Sequence, residues 1–448
     1  MSDGEAKVEN GIPSSHKTND FVILPDGKLG STSNNVIPPR LIDVEVKLIC
    51  TNKTGSVVIL RTGQIESLGG VYSRRSIPEN VQGELKGQVV QKIYATHRAF
   101  AALMKGGRMV SWGHSDSGGD SSVVQGLPKG DVINNIYSTS HAFAALTTRG
   151  RVMTWGHDGF GGDSSSVQDE LKRHGVKQIY SNGSAFAALM GNDRVVAWGH
   201  PYWGGDIPQR VQDELKRHGV KQIYSNGSAF VALMGNDRAV AWGNADAGGV
   251  IPDEVQNKFA MHGVRKIYST DEAFAALLDN NRVVTWGYAD AGGYIPPGVQ
   301  GLLEGQDVKN IYTREEWFAA ETVSGRLVIW GENIQGLINI PNGREVLDIV
   351  GNTIILDNWN TIALNNKSLL DDPNYLRFIR NRRLYTRAIK RTLLNAGDPD
   401  KVLKGPIDIN QRAVLGNKDL RELLLTYVNV WRGGPEGEGE GEGEGEGE

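Results

Sequence analysis

The chain is poor in the features that mark several large classes of protein. It has one cysteine, Cys50, in 448 residues, so neither an internal disulfide framework nor a cysteine-rich zinc site is available to it. No stretch approaches the roughly 18 to 20 apolar residues that a membrane span needs. The first twenty residues, MSDGEAKVENGIPSSHKTND, contain no basic stretch followed by an apolar one, so no classical secretion signal is read there and a cytoplasmic protein is expected. A net charge of −4 argues against nucleic-acid binding by the whole surface. Also missing are a phosphate-cradling glycine loop, HExxH and GxSxG, and no acid and base are placed across a cleft. The expectation is a non-enzymatic protein with no cofactor and no metal.

What is abundant is glycine: 57 residues, about 13% where ~7% is usual. Much of the excess recurs at a fixed phase. A Trp-Gly pair closes a strand-like run at Trp112, Trp155, Trp198, Trp242, Trp286 and Trp330, in steps of 43, 43, 44, 44 and 44 residues. One step of 44 further back falls on Leu68-Gly69, giving seven consecutive units. Each has two halves. The first reads like KQIYSN, a short variable loop, then AFAALM; the second reads like RVVAWG. Such runs, rich in Val, Ile, Tyr, Phe and Trp and separated by Gly-Asn-Asp or Asp-Asn-Asn, predict antiparallel hairpins. The connectors, such as GGDSSSVQDELKRHGV, offer a short helix in VQDELKRHG.

Small antiparallel sheets at a period near 44 predict an all-β fold, a seven-bladed β-propeller, over residues 41–370. One such sheet cannot bury both faces alone. Stacking blades does it, with the tryptophans filling the wedges. An open solenoid is the alternative architecture. Residues 46–61 resemble the first half of a unit, and 347–370 a decayed unit without its Trp-Gly. The expectation is therefore a ring closed by first and last strands sharing a sheet, with eight blades as the other count. Units four and five differ only at Ala187/Val231 and Val195/Ala239 over 167–199 and 211–243, the mark of an internal duplication.

These motifs, GRVVxWG, a glycine loop, a Val-Gln element and xIYSxxxAFAAL, resemble the repeats of the regulator of chromosome condensation family. They are similar in particular to its shorter bacterial-type repeats, as in the propeller-type β-lactamase inhibitor. The resemblance covers about residues 41–370. It implies a propeller that binds other proteins on one flat face; members of the family include an exchange factor for a small GTPase, ubiquitin-ligase appendages and enzyme inhibitors.

The variable loops are the candidate protein-binding sites, since they vary on nearly constant flanks. Their candidates are His97, Arg98, His141, Asn182, Asn226, Asp271, Glu272, Arg314, Glu315 and Trp317, with Arg98 and Trp317 of the residue types that dominate interfaces. His114, His157 and His200 follow the Trp-Gly pairs. Equivalent positions on adjacent blades lie too far apart to share one zinc, so these are read as turn residues, as are Asp116, Asp120 and Asp163. Tyr202-Trp203 is a secondary candidate for stacking a partner or a sugar. Four glycosylation sequons begin at Asn52, Asn182, Asn226 and Asn366.

Outside the repeats, residues 1–40 read as a flexible lead. Residues 371–432 hold 13 basic and 7 acidic residues in a basic helical module, the one place where nucleic acid or a membrane surface is a candidate partner. Residues 433–448 are a disordered Glu-Gly tail with seven glutamates, a candidate electrostatic cover for that module. The reading is a monomeric scaffold whose partner is another protein; the alternatives are a regulator of a small GTPase and a carbohydrate-binding propeller.

Overall fold

The structure, a computed structural model, describes residues 21–23, 27–31, 37–68, 77–124, 127–332, 334–340, 346–350, 353–356 and 361–363. The expectations for 1–20 and for 371–448 lie outside these residues.

Each repeat folds into one antiparallel sheet. Blade 1 comprises Val46–Asn52, Gly55–Leu60 and Ile65–Ser67, and blade 2 comprises Val90–Ala95, Ala99–Met104 and Met109–Gly113. Blade 3 is Ile133–Ser138, Ala142–Thr147 and Val152–Gly156; blade 4 is Val176–Ser181, Ala185–Met190 and Val195–Gly199. Blade 5 is Val220–Ser225, Ala229–Met234 and Ala239–Gly243, and blade 6 is Val264–Ser269, Ala273–Leu278 and Val283–Gly287. Blade 7 has Val308–Arg314, Trp317–Thr322 and Arg326–Gly331, with a fourth strand, Ile334–Asn339. The seven repeats thus make seven blades of a β-propeller.

The decayed unit forms a further three-stranded sheet, Val346–Val350, Thr353–Leu356 and Thr361–Ala363. Among the described residues the two ends do not share a sheet as expected. Val46–Asn52 pairs with Gly55–Leu60, and Val346–Val350 pairs with Thr353–Leu356, because each segment retains enough strand to complete its own sheet. The flexible-lead reading also fails for part of 1–40. Phe21–Ile23 pairs with Leu29–Ser31, and Phe21 and Leu29 pack with Leu41, Val46, Val58 and Leu60 of blade 1. That hairpin covers apolar surface that a terminal repeat would otherwise expose.

Neighbouring blades are joined by apolar clusters and by the aromatic pairs that the repeat supplies. In blade 3, Phe143 stacks on Trp155 at 5.2 Å between ring centroids, and the indole Nε1 donates to the Gly118 carbonyl of the preceding connector at 3.0 Å. The pattern repeats at Trp198, Trp242, Trp286 and Trp330, which donate to Gly161, Gly204, Gly248 and Gly292. These five tryptophans lie in the clusters between blades, and each of the five indole N–H groups has the partner that a buried donor needs. Gly118 has φ +89°, and a Cβ there would lie 2.5 Å from the Phe143 ring; a Cβ on Gly119 would run into the backbone of Gly113. The double glycine is thus required twice over, by close approach to the next blade and to its own Trp-Gly.

The first strands of consecutive blades lie beside one another. Their tyrosines Tyr94, Tyr137, Tyr180, Tyr224 and Tyr268 each reach the backbone of the next blade's first strand, and burial raises their pKa. Of the connector helices, Gln168–His174 and Gln209–His218 are those read from VQDELKRHG; each sinks one leucine, Leu171 or Leu215, against the blades. Two further connector helices, Asp253–His262 and Pro297–Leu303, do the same with Phe259 and Leu303.

Candidate functional site

The variable loops, between the first and second strands of each blade, are bound to one another by their backbones. The Lys53 amide donates to the His97 carbonyl (3.1 Å), His97 to Ser140 (2.8 Å), Ser140 to Gly183 (2.9 Å), Gly183 to Gly227 (3.0 Å), Gly227 to Asp271 (2.8 Å) and Asp271 to Glu315 (2.7 Å). One hydrogen bond per blade boundary ties seven loops into a single row. The tips of units four and five are glycines because the row is tight: a Cβ on Gly183 would sit 2.9 Å from the Gly227 oxygen, and one on Gly227 2.9 Å from the Asp271 oxygen.

A second series of bonds fixes the turn after each Trp-Gly beneath the loop of the same blade. His114 N–H donates to the Arg98 carbonyl, His157 to His141, His200 to Ser184, Asn244 to Ser228, Tyr288 to Glu272 and Glu332 to Glu316. In blades 2 to 6 one side chain per loop completes the frame. Asn182 Oδ1 accepts from the amides of Ser184 and Ala185, while its Nδ2 donates to the Trp203 carbonyl at 2.7 Å. Asn226 does the same with Ser228, Ala229 and the Ala247 carbonyl. In blades 2, 3 and 6 a threonine hydroxyl takes this place: Thr96, Thr139 and Thr270 donate to Ser117, Phe160 and Ala291. Short polar side chains that bond their own loop are the usual makers of such turns.

This frame sorts the sequence candidates. Asn182 and Asn226 are 3% exposed and each amide makes three hydrogen bonds within the frame, so they are pins of the loop and neither partner contacts nor accessible sequons. Trp317 is 8% exposed and packs with Ala319, Leu327, Ile329, Ile340 and Val346, closing blade 7 against the sheet that follows; it is an internal anchor. Its residue type suggested an interface, and that interface turns out to be internal. Arg314 is half-buried beside it. The candidates left on the face are His97, Arg98, His141, Asp271, Glu272 and Glu315, of which Arg98, Glu272 and Glu315 are exposed and the others half-buried.

The loop face is graded in charge. Its blade 1–3 end carries Lys53, His97, Arg98, His114, His141 and His157. Blades 4 and 5 contribute the uncharged Gly183, Ser184, Gly227, Ser228 and Asn244, with His200 in the turn of blade 4. The far end carries Asp271, Glu272, Glu315, Glu316 and Glu332. His141 lies at the centre of the first group, its ring 5.2 Å from His97 and 4.7 Å from Phe160, with Nδ1 3.1 Å from Ser117 Oγ. Its pKa is lowered, first by burial and then by His157, Lys53, Arg98 and His114. At the other end Asp271 is pushed up to about 6 by burial and by the carboxylates of Glu315 and Glu272.

Lys53 and Glu332 were not singled out from the sequence, although Lys53 stands one step of 44 before His97 and was within reach of the period. Turn roles are seen for His157, whose Nδ1 accepts from the Gly159 amide, and for Asp120 and Asp163, which accept from Ser122 and Ser165. Among the described residues no set of three His, Cys, Asp or Glu side chains is placed to hold a metal ion, and no helix is long and apolar enough to cross a membrane. Tyr202 is 57% exposed, its hydroxyl 3.3 Å from Asn244 Oδ1 on the next blade.

The fold and loops define a β-propeller whose repeats resemble those of the regulator of chromosome condensation family. No protein-family model matches the chain, and no curated protein does. Similar solved structures include Prp20p, the RCC1 of Saccharomyces cerevisiae, with 17% identity over 64% of this chain and 81% of that one and a TM-score of 0.36. Human WBSCR16 is 17% identical over 73% of this chain and 94% of its own, with a TM-score of 0.37. The ectodomain of the Physcomitrella patens receptor kinase CR4 is 14% identical over 68% and 79%, with a TM-score of 0.36. At these scores the propeller class rests on the sheets and registers described above.

Proposed function

We propose that the protein is a non-enzymatic interaction scaffold that binds a partner protein on the loop face of the propeller. The observation that carries this reading is the row of six backbone hydrogen bonds from Lys53 to Glu315. It holds seven loops, of which only those of blades 4 and 5 share their sequence, in one register. A face fixed in this way loses little conformational freedom on association, which is the cost that weakens binding by unconstrained loops. Its side chains also change sign along the row, and complementary charge gives a partner both orientation and specificity.

The test is recovery of partners from the source cell by the wild-type chain, by Arg98→Ala and by a Glu272→Ala/Glu315→Ala double variant. Loss of the same partner from both variants supports the reading. Equal recovery of every partner by all three chains counts against it.

A further inference from the structure

The blade 1–3 end of the loop face has a more specific chemistry than charge alone, and it bears on what the partner presents there. The inference rests on the loop-face reading above. Lys53 and Arg98 are exposed basic side chains, and the histidines around them form a connected group. His97 meets His141 edge-on at 5.2 Å, and Phe160 lies against both His141 (4.7 Å) and His157 (5.2 Å). His114 completes the set from the turn that supplies Ser117 to His141 Nδ1. The carboxylates in those same turns are Asp116 and Asp158; the groups that act on His141 are His157, Lys53, Arg98 and His114.

We propose that this end of the face receives an acidic segment of the partner polypeptide, and that its histidines couple the binding to proton uptake. The distribution of the groups argues for a run of carboxylates over a single compact anion. They come from three blades and from both the loop and the turn of a blade, and successive loops in a hydrogen-bonded row stand about 5 Å apart. A phosphate needs donors converging on one point, whereas an extended chain places alternate side chains about 7 Å apart along one face. The proton coupling follows from the crowding. In the free protein, burial and then four neighbouring basic groups lower the pKa of His141. Carboxylates laid over it reverse that balance, so the bound state takes up protons and binding tightens as pH falls through the histidine range.

The experiment uses the full chain and a fluorescein-labelled oligoglutamate decapeptide, with binding read by anisotropy at low ionic strength, where exposed charges are least screened. Going from pH of about 7.5 to about 5.5, the wild-type affinity is expected to rise roughly five-fold or more. Arg98→Glu lowers affinity at both pH values. His97→Gln/His141→Gln, checked for an unchanged circular dichroism spectrum, removes the pH dependence. Absence of binding, or a pH dependence that survives the histidine substitutions, overturns the proposal. So does binding indifferent to all these substitutions, which would place the peptide on the basic residues of 371–432. Displacement by millimolar inorganic phosphate beyond that by chloride of equal ionic strength would instead assign the site to a compact anion. Should the peptide result fail while Arg98→Ala and the glutamate variant still lose the cellular partner, the loop-face reading stands and only the acidic-segment assignment falls.

Discussion

The amide of Asp271 donates to the carbonyl of Glu315 at 2.7 Å, and this single bond sets two carboxylates from consecutive blades side by side. Burial and the charges of Glu315 and Glu272 push Asp271 up to about 6 from an ordinary 3.8. A carboxyl whose folded pKa is raised favours the fold while it is protonated in both states, below about 4. That contribution is lost as pH rises through about 6, where the folded protein must ionise it. Asp271→Asn is therefore expected to raise the melting temperature at pH of about 7.5 and to leave it unchanged below pH of about 4. Thermal unfolding at the two pH values checks this, and an equal effect at both would refute it.

The pin residues predict a rescue. Asn226→Ala removes one donated and two accepted hydrogen bonds from a buried loop, at an expected cost of about 2 to 3 kcal/mol. Asn226→Thr places in blade 5 the residue that blade 6 already uses, where Thr270 donates to Ala291 and accepts from Ala273. It should return stability to within about 1 kcal/mol of wild type. Denaturant unfolding separates the two variants, and equal losses would mean that the hydroxyl cannot substitute for the amide.

Trp317 is a matter of stability before recognition. Its truncation to Ala opens a cavity between blade 7 and the sheet that follows, with an expected loss of about 3 to 5 kcal/mol. The denaturation midpoint should fall accordingly. An unchanged midpoint together with loss of a partner would restore Trp317 to the surface role its residue type suggests.

The near-identical units carry a compensated pair. Ala187 and Val195 share one cluster facing blade 5, and Val231 and Ala239 share the corresponding cluster facing blade 6. Each pair thus consists of one alanine and one valine, exchanged between the two positions. Val231→Ala alone should cost about 2 kcal/mol, and adding Ala239→Val should recover most of it, since core volume is conserved. Strict additivity in the double-mutant cycle would show the two sites to be independent.

The propeller was readable because its period is enforced by packing. The Trp-Gly pair, the AFAAL strand and the double glycine all serve one blade-to-blade contact, so selection for that contact writes them at fixed phase. The loop candidates were readable only as a group. Asn182, a buried pin, stands at a loop column that holds only Thr or Asn in blades 2 to 6, and His141 stands two residues further on, at a column that holds Arg, His, Ser or Glu; that difference lay in the period, but it does not by itself say which column is buried. Their roles differ through partners 21 or more residues away, such as the Trp203 carbonyl for Asn182. Trp317 shows the opposite limit. Residue type implied an exposed anchor, and the neighbouring sheet, which lacks the repeat motif, supplied the burial.

The most direct test of the loop face as the binding surface is site-specific photocrosslinking in the source cell. A photoreactive residue is placed at Arg98 or Glu272 on the loop row, or at Asn192 or Lys221 in the hairpin turns and strands of the opposite end. The account predicts partner adducts from the two loop positions and none from Asn192 or Lys221. Adducts from those two positions, with none from Arg98 or Glu272, would contradict it.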